Sequence, residues 1–463
     1  MSNSIIELLN LVDDDLNVIN QEAVENTIYI TIEKLSKPHI CPICGCMMHS
    51  KGIYKRTVNH PTFIDGRNVI LYVNKRKYKC SNPNCGYMNS DNFKFVQVGK
   101  HNSNALPLLI LKEFKSLSTT ATDVAAKLNV SPTLIQDTFL NSFSFERLPL
   151  SEVISVDEVY MNFDYRHKYP LVILDFISGY PIDILNSRRE EDTHDYFLNI
   201  PLIERENVKY LICDMYNPYI NYVSRYFPKA KCIVDNFHVI KWLNNRLNTY
   251  INSVKKKYEE RDKKNYKEND YKRNMSFTKH KDSREVYILK HYKYFLLSNK
   301  ENIEYSMELR YDRFLNMYLD TYQKEKLFMN LDSKFTKYRE MKELYSQFAN
   351  RTYLNQNDIE ISLDTIIDYY INSEEGVFIG FGKLLKRYKE YIINSFTYIT
   401  IHNLKEDKPV QRRLSNGLIE SFNNNPKNLK RASKGLKNFE YARARILWAT
   451  RKNPTITIKT NKN

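Results

Sequence analysis

Val153-Ile154-Ser155-Val156-Asp157 and Tyr210-Leu211-Ile212-Cys213-Asp214 are two short apolar runs, each closed by an aspartate, in a chain of 463 residues. The chain around them reads as brief β runs. Val153–Val156 is followed by 169–176, and Ser178-Gly179 turns that run into Pro181–Leu185. Three strands are expected, the last two a hairpin. A helical stretch over 190–198 leads to a strand over 208–213, a helix over 218–227, a strand over 231–234 and a long helix from Phe237.

Three antiparallel strands followed by parallel strands with helical crossovers is the order of the RNase H-like fold. The expected fold class is therefore α/β, with an RNase H-like catalytic core whose first part spans 151–240. Residues 241–405 read as an all-helical, basic insertion without further strands. Residues 406–463 then return to the core with Ser415-Asn416-Gly417-Leu418-Ile419-Glu420-Ser421-Phe422-Asn423, a late helix carrying Glu420.

Asp157 and Asp214 are 57 residues apart, and Glu420 follows 206 residues later. Each has a plain reading: a strand-end turn residue beside a competing Glu158, a cap on the next turn, and a surface helix acid. Two aspartates at strand ends with a glutamate on a late helix also form a metal-binding triad. Phosphodiester cleavage needs an activated nucleophile and a stabilised leaving oxygen. Two Mg²⁺ (or Mn²⁺) ions roughly 4 Å apart supply both, and hard cations take carboxylate oxygens. Asp157, Asp214 and Glu420 are the expected catalytic residues and ligands. In Asp235-Asn236-Phe237-His238, Asp235 suits a helix N-cap. His238 then suits a positioning or proton-shuttling role beside the scissile phosphate.

Residues 1–100 carry Cys41-Pro42-Ile43-Cys44-Gly45 and, after 35 intervening residues, Cys80-x4-Cys85. Two cysteine pairs separated by β-type sequence describe a zinc ribbon, with one structural Zn²⁺ on Cys41, Cys44, Cys80 and Cys85. Cys46 is spare, and His49 and His60 are alternative ligands. Within 101–150, a helix over Thr120–Leu128, a short turn, and a helix opened by Ser131-Pro132 make a helix-turn-helix pattern. Thr133, Gln136 and Asp137 are its expected base readers.

The formal net charge is +16 and the pI about 9.2, which points to a polyanionic partner. Residues 241–300 hold 17 Lys and Arg against 7 Asp and Glu, and residues 411–463 hold 13 against 2. These segments read as DNA-contacting surface, with Lys255, Lys256, Lys257, Lys430 and Arg431 on phosphates. No apolar run is long enough to span a bilayer and the N-terminus lacks the pattern of a secretory signal. A cytoplasmic, nucleoid-associated protein with reduced cysteines is expected.

Taken in order, these pieces resemble the ISL-three family of bacterial insertion-sequence transposases. The strongest matches are Asp235-Asn236-Phe237-His238 and Ser415-Asn416-Gly417-Leu418-Ile419-Glu420. Lys430-Arg431-Ala432-Ser433-Lys434-Gly435 and 438–447 look like the family's closing block. The resemblance implies a DDE transposase that binds the terminal inverted repeats of its element and cuts and joins double-stranded DNA, element ends and target alike. It would work as a homodimer or higher oligomer. Two positions depart from the family pattern: Asn236 stands where Arg is common, and Pro426 follows Glu420 closely enough to stop its helix early. The rival readings are a catalytically inactive or repurposed zinc-ribbon and helix-turn-helix regulator, and a sequence-tolerant RNase H-type nuclease.

Overall fold

Alternation decides the N-terminal sheet. Ile28, Ile30 and Ile32 point inward from strand Thr27–Lys34, and Val69, Leu71 and Val73 from Arg67–Cys80. Successive side chains of a strand face opposite sides, so one face of the sheet is apolar. The computed structural model of the protein describes residues 2–64, 66–270, 282–403, 408–454 and 456–458. Its N-terminal sheet runs Leu16–Val24, Thr27–Lys34, Arg67–Cys80, Met47–Ile64, His39–Ile40, with Met88–Ser90 also paired to Arg67–Cys80. Strand Leu16–Val24 was not expected. It is exposed beyond its first residues and carries no apolar alternation to announce it.

Three helices follow, Ala105–Glu113, Ala121–Leu128 and Pro132–Ser142. Thr120 and Asp123 form a capping box on the second. Asn129 ends it at φ 52°, and Ser131 Oγ accepts from Leu134 N–H to start the third. Ile110, Val124, Ile135 and Phe139 close the space between the helices.

The central sheet has the strand order Pro181–Leu185, Leu171–Asp175, Val153–Glu158, Tyr210–Cys213, Lys231–Val234. The first three are antiparallel; the last two run parallel to Val153–Glu158. These strands are buried along nearly their whole length, as a sheet covered on both faces must be. Helices Glu190–Leu198 and Asn217–Tyr226 cover one face, where Phe197, Tyr219, Tyr222 and Tyr226 meet Ile154, Val156 and Ile173. Helices Gly417–Phe422, Asn424–Ser433 and Phe439–Thr450 lie on the other with Val172, Leu174 and Ile184. The same apolar cluster takes in the three N-terminal helices.

The 35-residue helix Asn236–Asp270 leaves the last strand and opens the insertion. Leu243, Leu247, Ile251 and Val254 recur at helical spacing and pack against helices Phe335–Asn350, Gln356–Ile371 and Gly376–Arg387. The expectation of an insertion free of strands is corrected here. Arg310–Asp312 pairs with Met317–Leu319, and Tyr398–Asn403 with Lys408–Arg413. Both hairpins are largely exposed, so no buried apolar face marked them in the sequence.

The basic C-terminal segment is also corrected in part. Arg445 and Arg451 are 1% and 2% exposed, so they are core residues rather than free surface charge. Arg451 donates to the carbonyls of Pro181, Glu146 and Ile182 at 3.0, 2.7 and 2.7 Å. Arg445 donates to Ser116 O and Thr119 O and lies 3.8 Å from the Phe114 ring centroid. Arg443 donates to Asp183 Oδ1 at 2.7 Å. These contacts fasten the last helix to the sheet edge and to the loop before the second N-terminal helix. Arg451→Ala should leave buried carbonyls unpaired and lower the unfolding free energy by about 2–5 kcal/mol, read from the urea midpoint.

Candidate metal centres and DNA-facing elements

The four N-terminal cysteines converge. Cys41, Cys44, Cys80 and Cys85 offer sulfurs that all lie within 4.8 Å of one another. Cys41 and Cys85 sulfurs are 3.6 Å apart, and those of Cys44 and Cys80 3.3 Å. Tetrahedral Zn–S bonds of about 2.3 Å put sulfurs roughly 3.8 Å apart, so the set fits zinc. Gly45 and Gly86, at φ 71° and 64°, let the chain turn back after each pair. The backbone N–H of Cys46 is the main influence drawing the Cys44 thiol down to about 6. Cys46 stands outside the group of four. His60 is no ligand. It is buried, bonds Ser103 Oγ at 2.9 Å, and burial pushes its pKa down to about 4. Protein purified without chelator should carry about one zinc per chain. Cys46→Ser should keep it and Cys44→Ser should lose it, by metal analysis of the folded protein.

The second centre lies where the central strands end. Ser155 and Asp157 share one face of their strand, and Val156 and Glu158 the other. Glu158 therefore turns towards the helices, where Arg188 Nη1 and Tyr219 Oη donate to it. Asp157 turns towards the late helix. Its Oδ1 accepts from Glu158 N–H at 2.9 Å, and its Oδ2 from Asn423 Nδ2 at 2.7 Å. Burial, and then the charge of Glu158, push the Asp157 carboxyl up to about 7, with Asp214 and Glu420 adding to the rise. Asp214 is raised by burial and Glu158, while His238 and Arg188 draw it back. Its Oδ1 also accepts from Tyr216 N–H at 3.0 Å, so it caps the turn as well.

Asp235 likewise has two jobs. Its carboxylate accepts the N–H groups of Phe237 and Asn416, burial raises it, and His238 opposes that rise. His238 Nε2 lies 3.1 Å from Glu420 Oε1, an ion-pair distance without hydrogen-bond alignment. Asp235, His238 and Glu420 offer ligand atoms mutually within 4.8 Å. Asp157 and Asp214 are outside that closest group, although Asp157 feels the charges of both Asp214 and Glu420. Helix Gly417–Phe422 ends one residue before Asn423, and Pro426 falls in the first turn of the next helix, Asn424–Ser433, where it costs no helical bond. Asn236, the departure from the family pattern, joins the insertion: it donates to Ser395 Oγ and accepts from Tyr345 Oη, both at 2.8 Å.

Sequence reasoning did not single out Asn423. The signal was its position three residues after Glu420, on the same helical face. Its Oδ1, Ser155 Oγ and both side-chain polar atoms of Asn416 are buried without a hydrogen-bond partner. Such atoms are rare in native proteins and mark water or ion positions. The oxygens among them, with the carboxylates of Asp157, Asp214 and Glu420, suit Mg²⁺ or Mn²⁺.

Of the DNA candidates, Thr133 is exposed and Gln136 half-exposed on helix Pro132–Ser142. Lys255 and Lys256 stand 3.9 Å from Glu259 and Glu260 on their own helix, while Lys257 is exposed. Lys430 lies 4.4 Å over the Tyr160 ring, and Arg431 is exposed. Among the described residues no helix is long and apolar enough to cross a membrane.

Two family matches show a transposase that carries a zinc ribbon. Residues 154–446 match the transposase family model of the ISL3 type, and residues 37–85 match the zinc finger of the transposases IS204, IS1001, IS1096 and IS1165. The first match spans more than half of the chain, and the protein belongs to the ISL3 family of insertion-sequence transposases. No curated protein matches it.

The crowding of acids has a measurable consequence. Folded Asp157 keeps its proton up to about 7, against an ordinary value of 3.8. The folded state therefore binds more protons than the unfolded one between those values, and stability falls as pH rises through them. Asp157→Asn removes that loss. Without added divalent ions its thermal midpoint should exceed that of the wild-type chain at pH 8, and the gap should close towards pH 4.

Proposed function

We propose that this chain is a DDE transposase that binds the terminal inverted repeats of an insertion sequence and catalyses divalent-metal-dependent DNA strand cleavage and transfer. The observation that supports the reading is that Asn423, three residues after Glu420, bonds Asp157 at 2.7 Å while Glu420 lies 3.1 Å from His238, with Asp157 feeling the charges of Asp214 and Glu420. The strand order and the helical insertion support an RNase H-like core. Bound Mg²⁺ or Mn²⁺ would activate the attacking oxygen and stabilise the leaving one.

The residues divide the remaining work. Asp157, Asp214 and Glu420 supply the ligand oxygens. Asn423 orients Asp157 through its amide N–H and keeps Oδ1 free to accept from a water of the metal's shell. His238, set by the helix start that Asp235 caps, orients Glu420 and exchanges a proton at Nε2 near the scissile phosphate. Thr133 and Gln136 read base edges from the second helix of the turn motif. Lys255, Lys256, Lys257, Lys430 and Arg431 neutralise phosphates without reading sequence. The zinc ribbon fixes the N-terminal sheet, since four thiolates leave no open position for chemistry.

The direct test is incubation of the purified full-length protein with duplexes bearing the element's ends, with and without Mg²⁺, followed by sequencing of the products. Cleavage at the ends that requires the ion supports the reading. Asp157→Asn, Asp214→Asn and Glu420→Gln should each abolish cleavage while DNA affinity is retained. Full cleavage by any of the three would exclude that residue from the triad. Asn423→Ala should weaken Mn²⁺ binding, measured by calorimetry, by about 10–100-fold.

A further inference from the structure

Behind the late helix lies a cleft outside the catalytic centre. It has a volume of about 660 Å³ and is lined by Lys115 and Ser118 before the second N-terminal helix, Tyr180 at the sheet hairpin, and Asn425, Asn428 and Arg431 on helix Asn424–Ser433. Among the described residues no Asp or Glu lines it, in a chain that has 54 of them. The three helix residues recur at i, i+3 and i+6, while Pro426 and Leu429 are buried on the inner side. Arg431 is exposed, and among the described residues no hydrogen bond or ion pair engages its guanidinium. Lys115 is fixed, since its Nζ donates to Trp448 O and Arg451 O at 2.8 and 2.9 Å. Guanidinium, ammonium, amide and hydroxyl donors without a competing acid suit the oxygens of phosphodiesters.

We propose that this cleft holds the sugar–phosphate backbone of the duplex on its way from the three N-terminal helices to the catalytic centre. The proposal rests on the transposase reading and adds a site to it. Its occupant is DNA, recognised by phosphate charge and not by base identity. The position of the cleft adds a consequence. Phe422 lines it, whereas Glu420 and Asn423, on the same short stretch, face His238 and Asp157. One wall thus separates the DNA backbone from the carboxylates, and DNA seated behind it restrains the segment that bears Glu420. Binding of DNA and of the divalent ion are then coupled, and such coupling is reciprocal.

The test uses the full-length protein without added Mg²⁺ and two labelled duplexes, one bearing an element end and one scrambled. Affinities are measured from 50 to 300 mM salt for the wild-type chain, Arg431→Ala and Asn428→Asp. Both side chains are exposed, so thermal midpoints should not move. Each variant should lose affinity about 5–20-fold, equally for the two duplexes. For Arg431→Ala the slope of log K against log salt should shrink by about one. A second measurement is Mn²⁺ binding by calorimetry with and without the scrambled duplex. DNA should tighten it in the wild-type chain and tighten it less in Asn428→Asp. Wild-type affinity and slope in both variants would overturn the cleft alone, as would a loss confined to the element end. No binding of either duplex by the wild-type chain would overturn the transposase reading and the cleft together.

Discussion

Repulsion among acids gathered at one sheet edge is the constraint on which the rest of this structure depends. Asp157, Glu158, Asp214, Asp235 and Glu420 influence one another there, and burial removes the water that would screen them. The fold copes by giving each acid a different partner. Glu158 is turned to Arg188 and Tyr219 on the far face. Asp235 takes the N–H of Phe237 at the start of the long helix and that of Asn416, and His238 stands against Glu420. Asp157 has only amide donors and two like-charged neighbours in space, Asp214 and Glu420, besides adjacent Glu158, so it carries the largest share of the strain. Under the proposed function, a divalent cation would relieve that crowding.

Strain of that kind persists only where the surroundings resist relaxation. The long-range contacts of the chain supply the resistance. Arg443, Arg445 and Arg451 tie the last helix to Asp183 and to carbonyls of the hairpin strand and the N-terminal helical loop. Arg413 donates to Ser395 O and Ala349 O, and Asn236 bridges Ser395 and Tyr345. The insertion is thereby anchored at both its beginning and its end. Glu420 returns to the sheet after 206 residues because those anchors bring its helix back, not because its own six-residue helix is stable.

The sequence was most legible where pattern and chemistry coincided. Strands Pro181–Leu185 and Lys231–Val234 and helix Glu190–Leu198 lie as the apolar runs and turn residues indicated. The knuckle residues announced four sulfurs that the structure brings together. Strand Leu16–Val24 and the two small hairpins were not legible. Their ladders are satisfied by backbone bonds on exposed surface, and side-chain pattern says little there. The basic C-terminal run misled in part, because a composition count cannot tell an arginine that binds carbonyls in the core from one that meets solvent.

By itself, then, the sequence determined the order of the central strands, the cysteine pairs, the capped helices and which acids end which elements. These are local matters, set by side-chain period, backbone geometry and the few residues that tolerate each turn. Only the tertiary structure decided that Glu158 meets Arg188 and Tyr219, that Asn423 grips Asp157, that His238 meets Glu420 and that Asn236 belongs to the insertion. Those pairings join residues up to 266 positions apart. They depend on how sheet, insertion and last helices pack together, and no local rule contains that information.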